Sequence, residues 1–132
     1  MKTEQVNLKE WYFQDEVKTA SGKGRIVPIH DRIKPFVKNW VSQRNIYLIA
    51  NSSGNRISTN QYYKYWSEVM QRIDADKIPH EARHTFETNL DNAKANRKCI
   101  DLLMGHKSKD VGNRVYNHKT IEQLRETIDL LQ

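Results

Sequence analysis

Strand patterning is confined to the first thirty residues of this chain, and almost everything after Asp31 follows helical spacing. A strand repeats its side-chain direction every second residue and a helix about every 3.6. The switch therefore limits the fold to a small sheet carried on a helical body. Trp11-Tyr12-Phe13 and Val17 are strand formers, and Arg25-Ile26-Val27-Pro28-Ile29 returns as a second strand. Thr19-Ala20-Ser21-Gly22-Lys23-Gly24 between them reads as the turn of an antiparallel hairpin. Pro28 has no N–H for a ladder and fits an edge or a strand end. Val6-Asn7-Leu8 supplies a short third strand.

Asp31 reads as the N-cap of a helix carrying Ile33, Phe36, Val37 and Trp40, and His30 before it has no evident role. Ile46 to Ala50 is a short apolar run, and Asn51-Ser52-Ser53-Gly54-Asn55 is a loop. Ser58 or Thr59 caps a helix carrying Tyr62, Tyr65, Trp66, Val69, Met70 and Ile73, and the aromatic group Tyr62, Tyr63, Tyr65 and Trp66 suits a core better than base stacking. From Pro79 onward the spacing predicts helices over roughly 80–93, 96–104, 108–117 and 120–131. Thr120-Ile121-Glu122-Gln123 reads as a capping box, with Ile121, Leu124, Ile128 and Leu131 as one apolar stripe behind it. The expected class is α+β, mostly α-helical with a small N-terminal antiparallel β-sheet, in a single domain over 1–132.

At 132 residues the chain is long enough to bury a core without staples. Its single cysteine, Cys99, excludes an intramolecular disulfide framework and a Cys-rich zinc site, and lies in an apolar helical stretch as a buried thiol. No run approaches the roughly 18 apolar residues that span a bilayer, and the N-terminus lacks a signal-like segment. The reading is a cytoplasmic protein with no membrane partner. Lysine and arginine number 22 against 16 acidic residues, a net charge of +6 that favours a polyanionic partner. These charges are spread along the chain, so they imply a folded surface with several basic sites and not a basic arm.

His80-Glu81-Ala82-Arg83-His84 fits two incompatible chemistries. As His-Glu-x-x-His on a helix it would hold zinc, with Glu81 as base. No residue stands at a diagnostic third-ligand spacing, Pro79 makes the motif open its helix, and Arg83 would set a fixed cation beside a dication. Zinc is the weaker reading. A phosphodiester transition state instead needs donors for its nonbridging oxygens, which arginine supplies in matching geometry. A tyrosine hydroxyl is a weak nucleophile that needs activation, and a leaving hydroxyl needs a general acid. His80, Arg83, His106, Tyr116 and a lysine meet these needs together. Taken singly, each is an ordinary residue: a surface or capping histidine, a solvated arginine, a half-buried tyrosine, an exposed strand lysine.

Order and spacing separate the two cases. Pro79-His80-Glu81-Ala82-Arg83-His84-Thr85-Phe86, Leu102-Leu103-Met104-Gly105-His106-Lys107-Ser108 and Val115-Tyr116-Asn117-His118, with the hairpin from Lys18-Thr19 to Gly24-Arg25-Ile26-Val27-Pro28-Ile29, resemble the tyrosine recombinases, also called phage integrases. The resemblance covers nearly the whole chain and is nearest to integrases of mobile elements. It implies a recombinase catalytic-domain fold and site-specific DNA cleavage and rejoining. Tyr116 would attack the scissile phosphate to form a 3′-phosphotyrosyl bond, and Arg83 would clamp the nonbridging oxygens. His80 would assist proton transfer or phosphate binding, and His106 would hydrogen-bond the phosphate from the neighbouring helix start. Lys18 would protonate the leaving 5′-oxygen, with Lys23 as the fallback. His84 would pack or hydrogen-bond behind the site, and His118 is unassigned. No metal or nucleotide cofactor is implied. The implied partner is double-stranded DNA, bound by a homo-oligomer in which the C-terminal helix either docks on a neighbour or packs on its own domain.

The family's catalytic set has another arginine in a helix before the first strand, whereas no arginine precedes Arg25 here. The family's core-binding domain has no counterpart either. The expectation is thus the C-terminal part of an integrase catalytic domain, poorly active alone, since one lost donor costs roughly a hundredfold to a thousandfold. Two alternatives stand beside it: a noncatalytic DNA-binding fragment, and a zinc-dependent hydrolase.

Overall fold

A computed structural model describes residues 1–16, 23–106 and 119–131. Lys18, Tyr116, His118, most of the hairpin turn and the helix expected over 108–117 lie outside the described residues. The sheet consists of β1 (Val6–Asn7), β2 (Tyr12–Glu16) and β3 (Lys23–Pro28), all antiparallel in the order β1-β2-β3. The expected third strand is present. Phe13 faces Val27 and Tyr12 faces Pro28, and the register shifts between Asp15 and Glu16. Pro28 closes β3 on the outer side of this sheet, where its missing N–H costs no ladder bond. Two boundaries differ from expectation. Lys23 and Gly24 belong to β3 and not to the turn. Trp11 has φ 54°, which removes it from β2, and its ring instead receives the ammonium groups of Lys34 and Lys38 at 5.0 and 5.4 Å.

After β3 the chain makes a 3-10 turn over Asp31–Ile33 before α1 (Lys34–Ser42). His30, not Asp31, caps it: His30 has extended backbone and its Nδ1 accepts from the Arg32 N–H at 3.1 Å. The tighter first turn moves the cap back by one residue and leaves Asp31 to pair with Lys34 at 2.5 Å. On α1 Val37 is fully buried, whereas Phe36 is 59% exposed. The run from Ile46 to Ala50 buries Leu48 and bridges Tyr47 to Lys2. Asn51 then closes its loop by accepting from the N–H groups of Ser53 and Asn55.

Ser58 caps α2 (Thr59–Arg72) in a reciprocal box with Gln61. No residue of α2 is buried, and Tyr62, Tyr63, Tyr65 and Val69 are all exposed. The core reading of this aromatic group is therefore wrong. Helical spacing identifies the apolar face, but no described element lies broadly against it. Trp66 is anchored, its indole N–H donating to the Lys77 carbonyl at 2.5 Å.

The core lies between α3 (Pro79–Asn92), α4 (Arg97–Met104), α5 (Ile121–Ile128) and β3. Leu90, Cys99, Ile100, Leu103, Met104, Leu124 and Ile128 form one buried cluster, with Val27 and Phe86 packed on it. Cys99 is the buried thiol expected. Thr120 caps α5 as its sequence predicts, but α5 ends at Ile128 and not near 131. Its apolar stripe is spent on this domain, against β3 and α4, and Arg125 reaches back to the Glu10 carbonyl. Among the described residues no helix is long and apolar enough to cross a membrane.

Leu90 has no exposed surface and joins α3 to α4 and α5. Leu90→Ala should lower unfolding stability by about 2–5 kcal/mol in urea titrations, because the cavity collapses only in part.

Candidate phosphate-binding site

Pro79 sets the start of α3, since its missing N–H is an orphan there anyway. Glu81 completes that start: its Oε2 accepts from the Ile78 N–H at 2.8 Å, and its Oε1 lies 3.3 Å from Lys77 Nζ. The Ile78 bond is the main cause holding the Glu81 carboxyl below the usual range, with Lys77 adding to it. The residue that suggested a zinc-site base therefore has a structural task, fixing the first turn. His80 and His84, one turn apart, lie edge to face with ring centroids 4.5 Å apart. Both are exposed.

Arg83 lies between them on α3, and its guanidinium crosses to α4. Its Nη2 donates to the Met104 carbonyl at 2.5 Å. That carbonyl is one of the four at the C-terminus of α4 without a helical partner, so the cation also meets the negative end of the helix. Gly105 follows with φ 68° and ends α4 in a Schellman turn. The Gly105 N–H donates to Leu102 and the His106 N–H to Asp101, at 3.1 and 2.9 Å. One contact thus brings Arg83 beside the turn that presents His106, although the two are 23 positions apart in sequence, a difference read from their residue numbers. His80 sits one turn earlier on α3. Arg83 and His106 thus meet at one corner of the molecule, with His80 on the adjoining turn of α3. His106 stands just past the C-terminus of α4, and the helix start expected after it lies outside the described residues.

The His106 ring faces carboxylates. Asp101 Oδ1 is 3.7 Å from its Nδ1, and Arg97 Nη2 holds that same oxygen at 3.1 Å. Arg97 Nη2 also donates to Glu87 on α3 at 2.7 Å, tying the two helices together. This bond lowers the Glu87 carboxyl and raises the Arg97 guanidinium from their ordinary values.

Arg25 was not singled out by sequence reasoning. It comes from β3 and lies under the same turn: a methyl group added at Gly105 would meet its Nη1 at 2.5 Å. Arg25 and Arg83 line a common open pocket of about 310 Å³ with Phe13, Val27, Phe86 and Met104. Only the antiparallel return of β3 toward α4 brings it there, and its sequence neighbourhood carries no signal of that. Two guanidinium groups beside one exposed imidazole make a site suited to a tetrahedral oxyanion.

The family model described as the phage integrase family matches residues 1–123. The chain belongs to the phage integrase family. It is similar to the tyrosine recombinase XerC of Mannheimia succiniciproducens, 27% identical over 94% of this chain and 45% of that protein. The tyrosine recombinase XerC of Thermodesulfovibrio yellowstonii is 29% identical over 94% of the chain and 46% of its own length. That of Pelobacter propionicus is 30% identical over 82% and 38%. The chain therefore spans less than half the length of these integrase-family relatives. No solved structure gives a significant match.

Gly105→Ala should destabilise the fold by at least about 1 kcal/mol through its left-handed backbone alone, with the Arg25 contact adding to that. In a denaturant double-mutant cycle, Arg25→Ala should recover the steric part of the loss and leave the backbone part.

Proposed function

We propose that this chain is the catalytic part of a site-specific recombinase that cleaves and rejoins double-stranded DNA through a covalent 3′-phosphotyrosyl intermediate. The observation that carries this reading is the Arg83–Met104 contact, which sets an arginine and the exposed His106 at one corner of an integrase-family domain. In this mechanism Arg83 holds the nonbridging oxygens while Tyr116 gives up its phenolic proton, with His80 assisting that transfer, attacks phosphorus and expels the 5′-oxygen. Lys18 delivers the proton to that leaving oxygen, with Lys23 as the alternative donor. His80 and His106 hydrogen-bond the phosphate, and strengthen that bond as charge grows on its oxygens. The phosphotyrosyl ester conserves the bond energy, so a second 5′-hydroxyl reverses the step without any nucleotide cofactor. A homo-oligomer on DNA completes the exchange.

The second reading is a DNA-binding domain without strand cleavage, favoured by the net charge of +6. A nicked suicide duplex separates the two. The recombinase should give a covalent protein–DNA adduct that survives denaturing electrophoresis and is lost in Tyr116→Phe. An adduct that persists in Tyr116→Phe contradicts the nucleophile. Tight, steeply salt-dependent binding with no adduct supports the second reading.

A further inference from the structure

His106 meets a single residue at two points. The Schellman turn fixes its backbone N–H on the Asp101 carbonyl at 2.9 Å, and the Asp101 carboxylate faces its ring Nδ1 at 3.7 Å. That gap exceeds hydrogen-bond length by roughly half an ångström to one, which a small rotation of the exposed His106 ring closes. The carboxylate itself has little freedom, because Arg97 grips the same oxygen and is gripped in turn by Glu87. Among the described residues the other ionisable groups around the turn are Arg83 on α3, against the preceding carbonyl, Arg25 on β3, against Gly105, and His84, which lies close enough to act on Glu87.

An imidazole whose one nitrogen faces a carboxylate carries its proton there, and the partner decides which nitrogen is left for chemistry. We propose that Asp101 is a positioning residue: it accepts from Nδ1–H of His106, fixes the ring, and leaves Nε2 directed at the scissile phosphate. Nε2 then donates to a phosphate oxygen in the imidazolium and presents a lone pair in the neutral ring. Arg97 and Glu87 hold Asp101 in place, so the device runs from α3 through α4 to the turn. The proposal rests on the phosphate role given to His106 above, and deepens it by naming what aims the ring.

The test is the tautomer of His106 in the neutral ring, read from two-bond proton–nitrogen correlations of the uniformly ¹⁵N-labelled chain at alkaline pH. The chain should show the Nδ1-protonated form. Asp101→Asn, which keeps an acceptor oxygen, should retain it. Asp101→Ala should revert to the Nε2-protonated form that free neutral imidazole favours. An Nε2-protonated ring in the unaltered chain, or no change in Asp101→Ala, overturns the proposal. Cleavage of the suicide duplex should fall about tenfold to a hundredfold in Asp101→Ala and be largely restored in Asp101→Asn. A tautomer that changes as stated while cleavage stays constant upholds the Asp101–His106 pairing and contradicts the phosphate role of His106.

Discussion

The bond from Arg83 to the Met104 carbonyl is the constraint on which the candidate site depends. Without it, α3 and α4 would still share a core, but nothing would fix the arginine beside the turn that carries His106. The bond serves two purposes. It satisfies a carbonyl that the end of α4 leaves without a helical partner, and it orients the guanidinium of an otherwise exposed residue. Breaking it would leave that carbonyl to water and let a long side chain recover its rotamer freedom.

Stability and chemistry are separated in space here. The packing that stabilises α3, α4 and α5 runs through Leu90, Cys99, Ile100, Leu103 and Leu124, all buried. His80, Arg83 and His106 stand exposed at the ends of the same helices. Gly105 joins the two zones. It lets α4 stop abruptly above Met104, and its lack of a side chain lets Arg25 come close beneath. A packed floor with Arg25 and Arg83 at its rim has the preorganisation that the proposed phosphodiester role requires.

Much of this was legible in the sequence because it is local. The three strands, a cap at Ser58 or Thr59, the Thr120 box, the start of the helix at Pro79 and the burial of Cys99 follow from spacing and capping chemistry within a few residues. Errors arose where tertiary context decides. His30 took the cap from Asp31 because the first turn is 3-10, a preference that composition does not show. Tyr62, Tyr63 and Tyr65 have core-like spacing yet stay exposed, since periodicity says which face is apolar and not whether anything covers it. For the site, motif order picked out His80, Arg83 and His106. It was blind to Arg25, Asp101 and Arg97, whose importance comes from helices and strands meeting across the fold.

The most direct test of the account is Arg83→Lys, which keeps the charge but loses the forked donors that grip Met104 and, in the proposed mechanism, a phosphate. Single-turnover cleavage of a suicide duplex should slow by roughly a hundredfold to a thousandfold. The affinity for the same duplex should change only a few-fold, since one cation among 22 basic residues is retained. A cleavage rate equal to that of the unaltered chain, or a loss explained wholly by weaker DNA binding, would contradict the claim that Arg83 organises the site.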